Sequence, residues 1–402
     1  MNLSRPVRYA MFALLYFAQG AIVAYFAALN SLYLLSYGLT MQQVGVIGTI
    51  ALIPFVLKIF LGMLSDRFSL LGMGHRKPYI IVGLLIQAGF LLVIMSVNPA
   101  SQYGLFAALA FIIMTGQALY DTCTDGLALD TTPKEEMGTI QGFMVGGRAM
   151  GVVIISGLIG VLVEATSWQA AFILLAVLTL VPLPLVLFLK EGARPAERSF
   201  KWGAFKAFGN LPVLTLALLG ALYSFVTNGA NELFNPLLQQ DFDISITTAG
   251  LVATAWGIGV VLGGLTGGRL VDAIGQRKAV LSAMTITTLS LLAMAAISST
   301  AVAFPVIIFF GLAYGYYETV YFAISMNKTD PRIAASMFSI FMAIANIGTG
   351  IGLSAAGSLA DGVGFRMTFV ILAGINLLAL VLVPVIFGRA KQPAGQEVTS
   401  AD

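Results

Sequence analysis

Carboxylates interrupt an otherwise apolar run at residues 118–138, ALYDTCTDGLALDTTPKEEMG. Gln117, Asp121 and Asp125 stand at i, i+4 and i+8, on one face of a helix. A second stretch, AYGYYETVYF, sets Glu318 among Tyr314, Tyr316, Tyr317 and Tyr321. Two bases lie in similar surroundings, Lys58 in ALIPFVLKIFLGML and Arg148 in FMVGGRAMGVV. An ionisable group at membrane depth costs at least ~2.5 kcal/mol, so by default it is paired or functional. Acids and bases at one level suggest a mutually neutralised cluster. It either ties helices together or takes part directly in substrate or proton handling. Glu318 differs, because no Lys or Arg lies near it in its part of the chain. Desolvation without a base disfavours the charged form, which suits a group that takes up and releases a proton. A neutral acid held by a tyrosine is the alternative.

A third group is amide-rich. Asn228, Asn231, Glu232 and Asn235 follow i, i+3, i+4 and i+7, a helix face, with Ser224 one turn before. Amides facing lipid would go unsatisfied, so this face lines a cavity or a helix contact. The cavity is the expectation, with Gly229 and Pro236 letting the helix bend. Tyr317 and Gln19 complete the candidate substrate and proton site.

The elements that must position these residues are membrane helices. Of the 402 residues, 58% are hydrophobic and 10% charged, against about 25% charged in soluble domains. Stretches of 18 or more apolar residues recur throughout and read as spans. Twelve fit: roughly 9–37, 41–65, 78–97, 103–130, 138–163, 168–189, 211–239, 246–271, 278–298, 301–326, 333–360 and 366–388. The N-terminal run is a retained first span, not a signal peptide. Apart from Lys58 and Arg148 within spans, and Arg366, every Lys and Arg then falls on the side of the termini. The positive-inside rule makes that side cytoplasmic. The net charge of +3 reflects topology, not nucleic-acid binding. At ~1.5 Å per residue, Asp121 lies about 14 Å from Asp130, Arg148 about 15 Å from Gly138 and Lys58 about 12 Å from Asp66. All three approach the middle of a ~30 Å hydrocarbon core, as does Glu318. Asp130 is expected near the cytoplasm, at an interface.

The chain repeats itself. Tyr120-Asp121-Thr122 recurs as Tyr317-Glu318-Thr319, and YFAQG in span 1 matches VTNG in span 7, so Gln19 corresponds to Asn228. GMLSDRF, continuing to GHRKPYI, recurs as GGRLVDAIGQRKAV. The expected organisation is two six-span units, 1–190 and 211–389, joined by a cytoplasmic linker, 191–210, with a disordered tail, 390–402. Parallel repeats of this kind build a rocker around a central site.

The duplicated G-x-x-x-D-(R)-x-x-G-x-R-K signature resembles that of the major facilitator superfamily, over essentially the whole chain. LYDTCTDGLALDTTPKEEMG and ISMNKTDPRIAASMFSIF are similar to a branch holding muropeptide permeases, acetyl-CoA transporters and short siderophore-uptake permeases. Muropeptide permeases usually carry extra spans, so the siderophore type is the better length match. The resemblance implies an all-α membrane protein with twelve helices in two pseudo-symmetric six-helix bundles, and uptake. It also implies a cytoplasmic gating latch from Gly62, Asp66, Arg67, Arg76 and Lys77, and from Gly268, Asp272, Gly275, Arg277 and Lys278. Gly62 and Gly268 would allow close approach. Asp66 would face the start of span 11 near Ile333, and Asp272 that of span 5 near Gly138.

The expectation is a proton-coupled secondary transporter of the inner membrane, monomeric, with both termini cytoplasmic. Its partners would be a polar small molecule, protons and the bilayer. A non-transporting receptor or assembly factor on the same fold is the rival. Cys123 alone excludes an internal disulfide or a cysteine metal site, and His75 reads as a solvated loop residue. No P-loop or metal-ligand cluster supports an enzyme or an ATP-driven pump, so neither a cofactor nor a metal is expected.

Overall fold

A computed structural model describes residues 4–69, 72, 74–132, 136–191, 202–328 and 334–388. Within these, the side chains of 66, 67, 129, 137–139, 141, 204, 268, 269, 272 and 334–336 are not described. Span 1 is α1 (Arg5–Ala28), followed by the short α2 (Asn30–Ser36); span 2 is α3 (Met41–Val56) and α4 (Lys58–Arg67). Spans 3 to 5 are α5 (Lys77–Ile94), α6 (Tyr103–Thr131) and α7 (Met137–Ala165). Span 6 is α8 (Trp168–Leu180) and α9 (Leu183–Phe188), and a short α10 (Ala204–Ala207) follows. Spans 7 to 11 are α11 (Leu211–Phe242), α12 (Ile246–Ile274), α13 (Gln276–Ala295), α14 (Thr300–Asn327) and α15 (Ala334–Val363). Span 12 is α16 (Phe365–Leu378), a 3-10 turn and α17 (Val383–Phe387). Twelve stretches among the described residues are long and apolar enough to cross a membrane, and they form two six-helix bundles.

Local chemistry accounts for the breaks. Pro54 removes one backbone donor inside α3, and span 2 breaks at Leu57. That break makes Lys58 the first residue of α4. Thr40 and Gln43 cap α3 reciprocally, at 3.3 and 2.9 Å, the arrangement of a capping box. Gly275, with φ of 80°, separates α12 from α13, a conformation that only glycine adopts cheaply. Expected in the latch, Gly275 is here the turn between spans. Pro236 lies inside α11, which runs unbroken to Phe242.

The apolar packing is asymmetric along the bundle axis. The terminal face carries the starts of α1 and α5, and the distal face carries the ends of α1, α7, α11 and α15. Towards the distal face one core runs through both bundles, with Ile22, Ile47, Ile159, Val226, Val252 and Phe369 all in it. Towards the terminal face there are two. One holds Phe12, Leu84 and Leu127 of the first bundle. The other holds Leu216, Val280 and Phe341 of the second, with Ile59 packed against it.

The distal junction is close and doubly repeated. Gly160 of α7 lies against the backbone of α12, and Gly357 of α15 against that of α3. Thr254 Oγ1 donates to Val153 O at 2.8 Å, and Thr49 Oγ1 to Gly350 O at 2.5 Å. At the rim, Glu164 accepts from Thr247 N at 2.9 Å. Asp361 accepts from Met41 N at 3.0 Å and Gln42 N at 2.7 Å. Each carboxylate at the end of one bundle's helix thus caps the first turn of a helix in the other, where the helix dipole favours an anion. The glycine runs of spans 5 and 11 divide. Gly151 and Gly348 pack within their own bundles against α1 and α11, Gly350 faces Thr49 across the junction, and Gly146 meets nothing.

Loss of a cap costs ~1 kcal/mol, so removing both should shift the closed–open balance of this junction by about thirtyfold. In a Cys123→Ser background, Leu353→Cys should label faster with an impermeant maleimide when Glu164→Ala and Asp361→Ala are combined. An unchanged labelling rate would show that these caps do not hold the distal face shut.

Candidate functional site

The ionisable residues collect where the shared core divides. Lys58 Nζ, at the start of α4, forms an ion pair with Asp121 Oδ2 of α6 and lies 3.6 Å from Asp125 Oδ2. Tyr16 of α1 donates to Asp125 Oδ1. Asp121 is almost fully enclosed, with its side chain 5% exposed, while that of Asp125 is 41% exposed. Lys58 sits between them at 29%. Next to this cluster, Gln87 Nε2 donates to Gln117 Oε1 at 2.9 Å, and Thr179 Oγ1 to Gln87 Oε1 at 3.4 Å. Gln117 is thus spent on binding α6 to α5, and Gln87 in turn binds α5 to α8.

Arg148 is placed differently from its expected partnership with Asp121 or Asp125. Its helix, α7, packs on α1 and α12, whereas α6 packs on α3, α4 and α5. The backbone of Arg148 lies against Gly20 of α1, and its side chain is exposed. Among the described residues it forms no ion pair. Its charge acts on Tyr16 and Lys58 in its own bundle and on Tyr314 and Glu318 in the other.

In the second bundle Glu318 of α14 is half-buried. Tyr314, one turn earlier, donates to Asn228 Oδ1 at 3.0 Å. Asn228 Nδ2 donates to Thr349 Oγ1 of α15 at 3.2 Å. Trp256 of α12 meets the Tyr314 ring edge-on at 5.5 Å.

The amide face of α11 does not act as one surface. Asn228 reaches this site, but Asn231 Nδ2 and Asn235 Nδ2 donate to Ala27 O and Ala28 O of α1, each at 2.6 Å. Those two amides join the bundles at the distal junction instead of lining a cavity. Glu232 is buried, 6% exposed. Tyr317 points away from Glu318 into the core of its bundle, its ring 5.0 Å from that of Tyr223, so it is not a cavity residue. Gln19 is buried, and among the described residues its Oε1 has no hydrogen-bond partner.

Arg76 and Lys77, expected in the latch between bundles, engage their own bundle. Arg76 contacts Ser65 Oγ at 2.5 Å and Asp130 at 3.4 Å, so Asp130 too serves within its bundle. Lys77 Nζ donates to Leu187 O and Leu189 O, at 2.7 and 2.9 Å. Glu191 accepts from the backbone N–H groups of His75, Arg76 and Lys77. Arg277 and Lys278 are exposed, and Gly62 lies against the Thr122 methyl. The side chains of Asp66, Arg67 and Asp272, and the surroundings of Gly268, lie outside the described residues, as does the tail 390–402. Tyr16, Trp256, Thr349 and Glu191 were not anticipated. Tyr16 stands three residues before Gln19, on the same helix face, and that spacing was its one sequence signal.

Twelve helices long and apolar enough to cross a membrane, gathered in two bundles, define a polytopic membrane protein. The chain belongs to the Major Facilitator Superfamily, whose sequence model matches residues 11–234 and 216–402. It is 25% identical over 259 residues to the sialic acid transporter NanX of Escherichia coli strain K12, across 60% of this chain and 59% of that protein. It is 23% identical over 258 residues to the putative transporter AmpG 1 of Rickettsia bellii, across 59% and 62%. The chain therefore spans about three fifths of these relatives. In fold it is similar to the nucleoside transporter NupG (D323A mutant), with a TM-score of 0.81 at 14% identity, covering 94% of this chain and 99% of that one.

The pairing can be tested by stability. Removing one partner of a buried pair costs ~3–5 kcal/mol, so Lys58→Ala should lower the melting temperature in detergent clearly. Adding Asp121→Ala should recover part of that loss. Arg148→Ala combined with Asp121→Ala should be additive. Additivity for the lysine pair, with coupling for the arginine pair, would assign the carboxylates to the wrong base.

Proposed function

We propose that this protein is a secondary transporter that moves a polar small molecule by alternating access, coupled to protons. The observation that carries this is the single core at the distal face, divided into two towards the terminal face, with ionisable residues at the fork. Such packing suits two units, 1–190 and 211–389, that rock about a fixed site. With the terminal face cytoplasmic, as the positive residues imply, the described arrangement is closed to the outside. The membrane is then the cytoplasmic membrane and both termini are inside. Substrate and proton would be exchanged at Asp121, Asp125, Lys58, Arg148, Asn228 and Glu318. The likeness to a sialic acid transporter and a nucleoside transporter supports transport of a polar solute, and the branch resemblance supports uptake of a siderophore-, muropeptide- or CoA-type compound.

Glu318 is the proposed coupling group. It stands half-buried at the fork, and among the described residues its own bundle sets no base beside it. Access to water from one side at a time would let it load and release a proton in step with the cycle. The latch signature would favour closure at the cytoplasmic face, through Asp66 and Asp272.

Glu318→Gln keeps the shape of the protonated acid. In proteoliposomes it should abolish accumulation driven by a pH gradient while leaving counterflow exchange of bound substrate intact. Accumulation with the wild-type dependence on the gradient would remove Glu318 as the coupling site and move attention to Asp121 and Asp125.

A further inference from the structure

We propose that the transported solute is an organic acid, and that Arg148 holds its carboxylate or phosphate opposite Glu318. This rests on the transporter reading above and names the substrate class. The bases at the fork are not equivalent. Lys58 is occupied by Asp121 and Asp125, and Tyr16 takes a further position on Asp125. Arg148, on α7 of the same bundle, stands apart from that cluster, exposed, with no ion pair among the described residues. A guanidinium at this depth is costly unless it meets an anion. Its planar fork matches a carboxylate or phosphate through two parallel hydrogen bonds, which a lysine cannot offer.

The wall facing Arg148 sets what else the solute carries. Asn228, Tyr314 and Thr349 form a hydrogen-bonded set, and Trp256 offers an aromatic edge beside Tyr314. The donors of this set are spent on one another and on backbone carbonyls, so what remains for the solute is acceptor capacity on the Tyr314 hydroxyl and Asn228 Oδ1, which an acid bearing hydroxyl or amide donors can use and a purely apolar acid cannot.

Charge balance links the solute to the proton. Two bases, Lys58 and Arg148, face three acids, Asp121, Asp125 and Glu318. The charged or titratable groups that act on or around Glu318 are Arg148 from α7, Tyr223 from α11 and Tyr314 from its own helix. Its neighbours α12 and α15 present Trp256 and Thr349 at this level, neither of which titrates. A solute anion on Arg148 would add a fourth negative charge. The site accommodates it when Glu318 carries a proton, so anion and proton enter together, one for one, with no net charge moved by a monoanion.

The test uses the full chain and matched pairs of probes: N-acetylneuraminate and its methyl ester, glucuronate and glucuronamide, uridine monophosphate and uridine. Thermal shift of the purified protein reads binding, and proteoliposome flux with a pH electrode reads transport and proton uptake. At least one acid should stabilise the wild type, its neutral twin should not, and Arg148→Gln should weaken that acid about a hundredfold. Arg148→Lys, which keeps the charge but not the fork, should retain partial affinity and report on folding. The proposal falls if neutral twins bind as well as the acids, if Arg148→Gln leaves acid binding unchanged, or if no acid shifts stability. The two claims separate. A neutral twin accumulated with protons keeps the transporter and removes the anion site. An acid bound through Arg148 but never moved keeps the anion site and removes transport.

Discussion

Everything in this molecule depends on where its apolar core stops being shared. Over the distal half, side chains from both bundles bury one another. Over the terminal half, each bundle buries its own. A core shared by two moving bodies resists their separation roughly in proportion to the area it hides, so the shared part must stay limited if the bodies are to rock. Backbone-to-backbone contact through Gly160 and Gly357 brings helices together without interlocked large side chains. The closing interactions include two hydroxyl-to-carbonyl bonds, two amide-to-carbonyl bonds from Asn231 and Asn235, and two carboxylate caps. Each costs little to break when water can enter and replace it. Held this way, the distal face is shut without being welded.

The repeat explains the form of the closure and also where it fails. Glu164 and Asp361 stand 197 residues apart, the same offset that relates Asp121 to Glu318, Gly151 to Gly348 and Gly160 to Gly357. In the outer helices the correspondence holds as well. Gln87 and Thr179 bind α5 to α8, and Asn376 binds α16 to α13 through Thr288 Oγ1 at 2.9 Å. Scaffold and hinge are thus duplicated. The centre is not, because the bases Lys58 and Arg148 both come from the first bundle. A symmetric centre would bind charge equally from both sides. This one sets a neutralised cluster on one wall against a lone acid on the other.

Much of the scaffold was legible in the sequence, because twenty apolar residues are one of the clearest signals a chain can give. Span ends fell within a few residues, and Pro54 lay where span 2 breaks. Depth was legible too, since counting residues from a loop gives height in the bilayer. Azimuth was not. Arg148 and Asp121 share a level, yet they sit on helices that do not adjoin, so the nearer Lys58 takes the carboxylate. The same blindness affected α11. Its amide stripe is real, but from Asn228 to Asn235 it climbs about 10 Å, leaving the level of Tyr314 and entering the shared core. Tyr317 is next to Glu318 in sequence and turned about 100° from it around the helix. Periodicity reports that a face exists, and only packing reports what it faces.

The arrangement of the centre follows from which groups the fold can afford to satisfy permanently. Asp121 is nearly enclosed, and a carboxylate in that position without a partner would be strongly destabilising. The break after Pro54 lets Lys58 reach it, and Tyr16 reaches Asp125 from α1. These contacts lie within one bundle. Arg148 and Glu318 lie on opposite bundles, so on the proposed transporter reading a bond between them would have to break in every cycle. Each is instead left half-open to the space that changes, Arg148 anchored through its backbone on Gly20 and Glu318 beside the Asn228–Tyr314 pair. Interactions inside a bundle therefore set the charge of each wall, and on the proposed transporter reading those between the walls are left for a ligand to complete. That division would make binding responsive to the relative position of the two bundles, because only a ligand able to bridge them would gain from both walls at once.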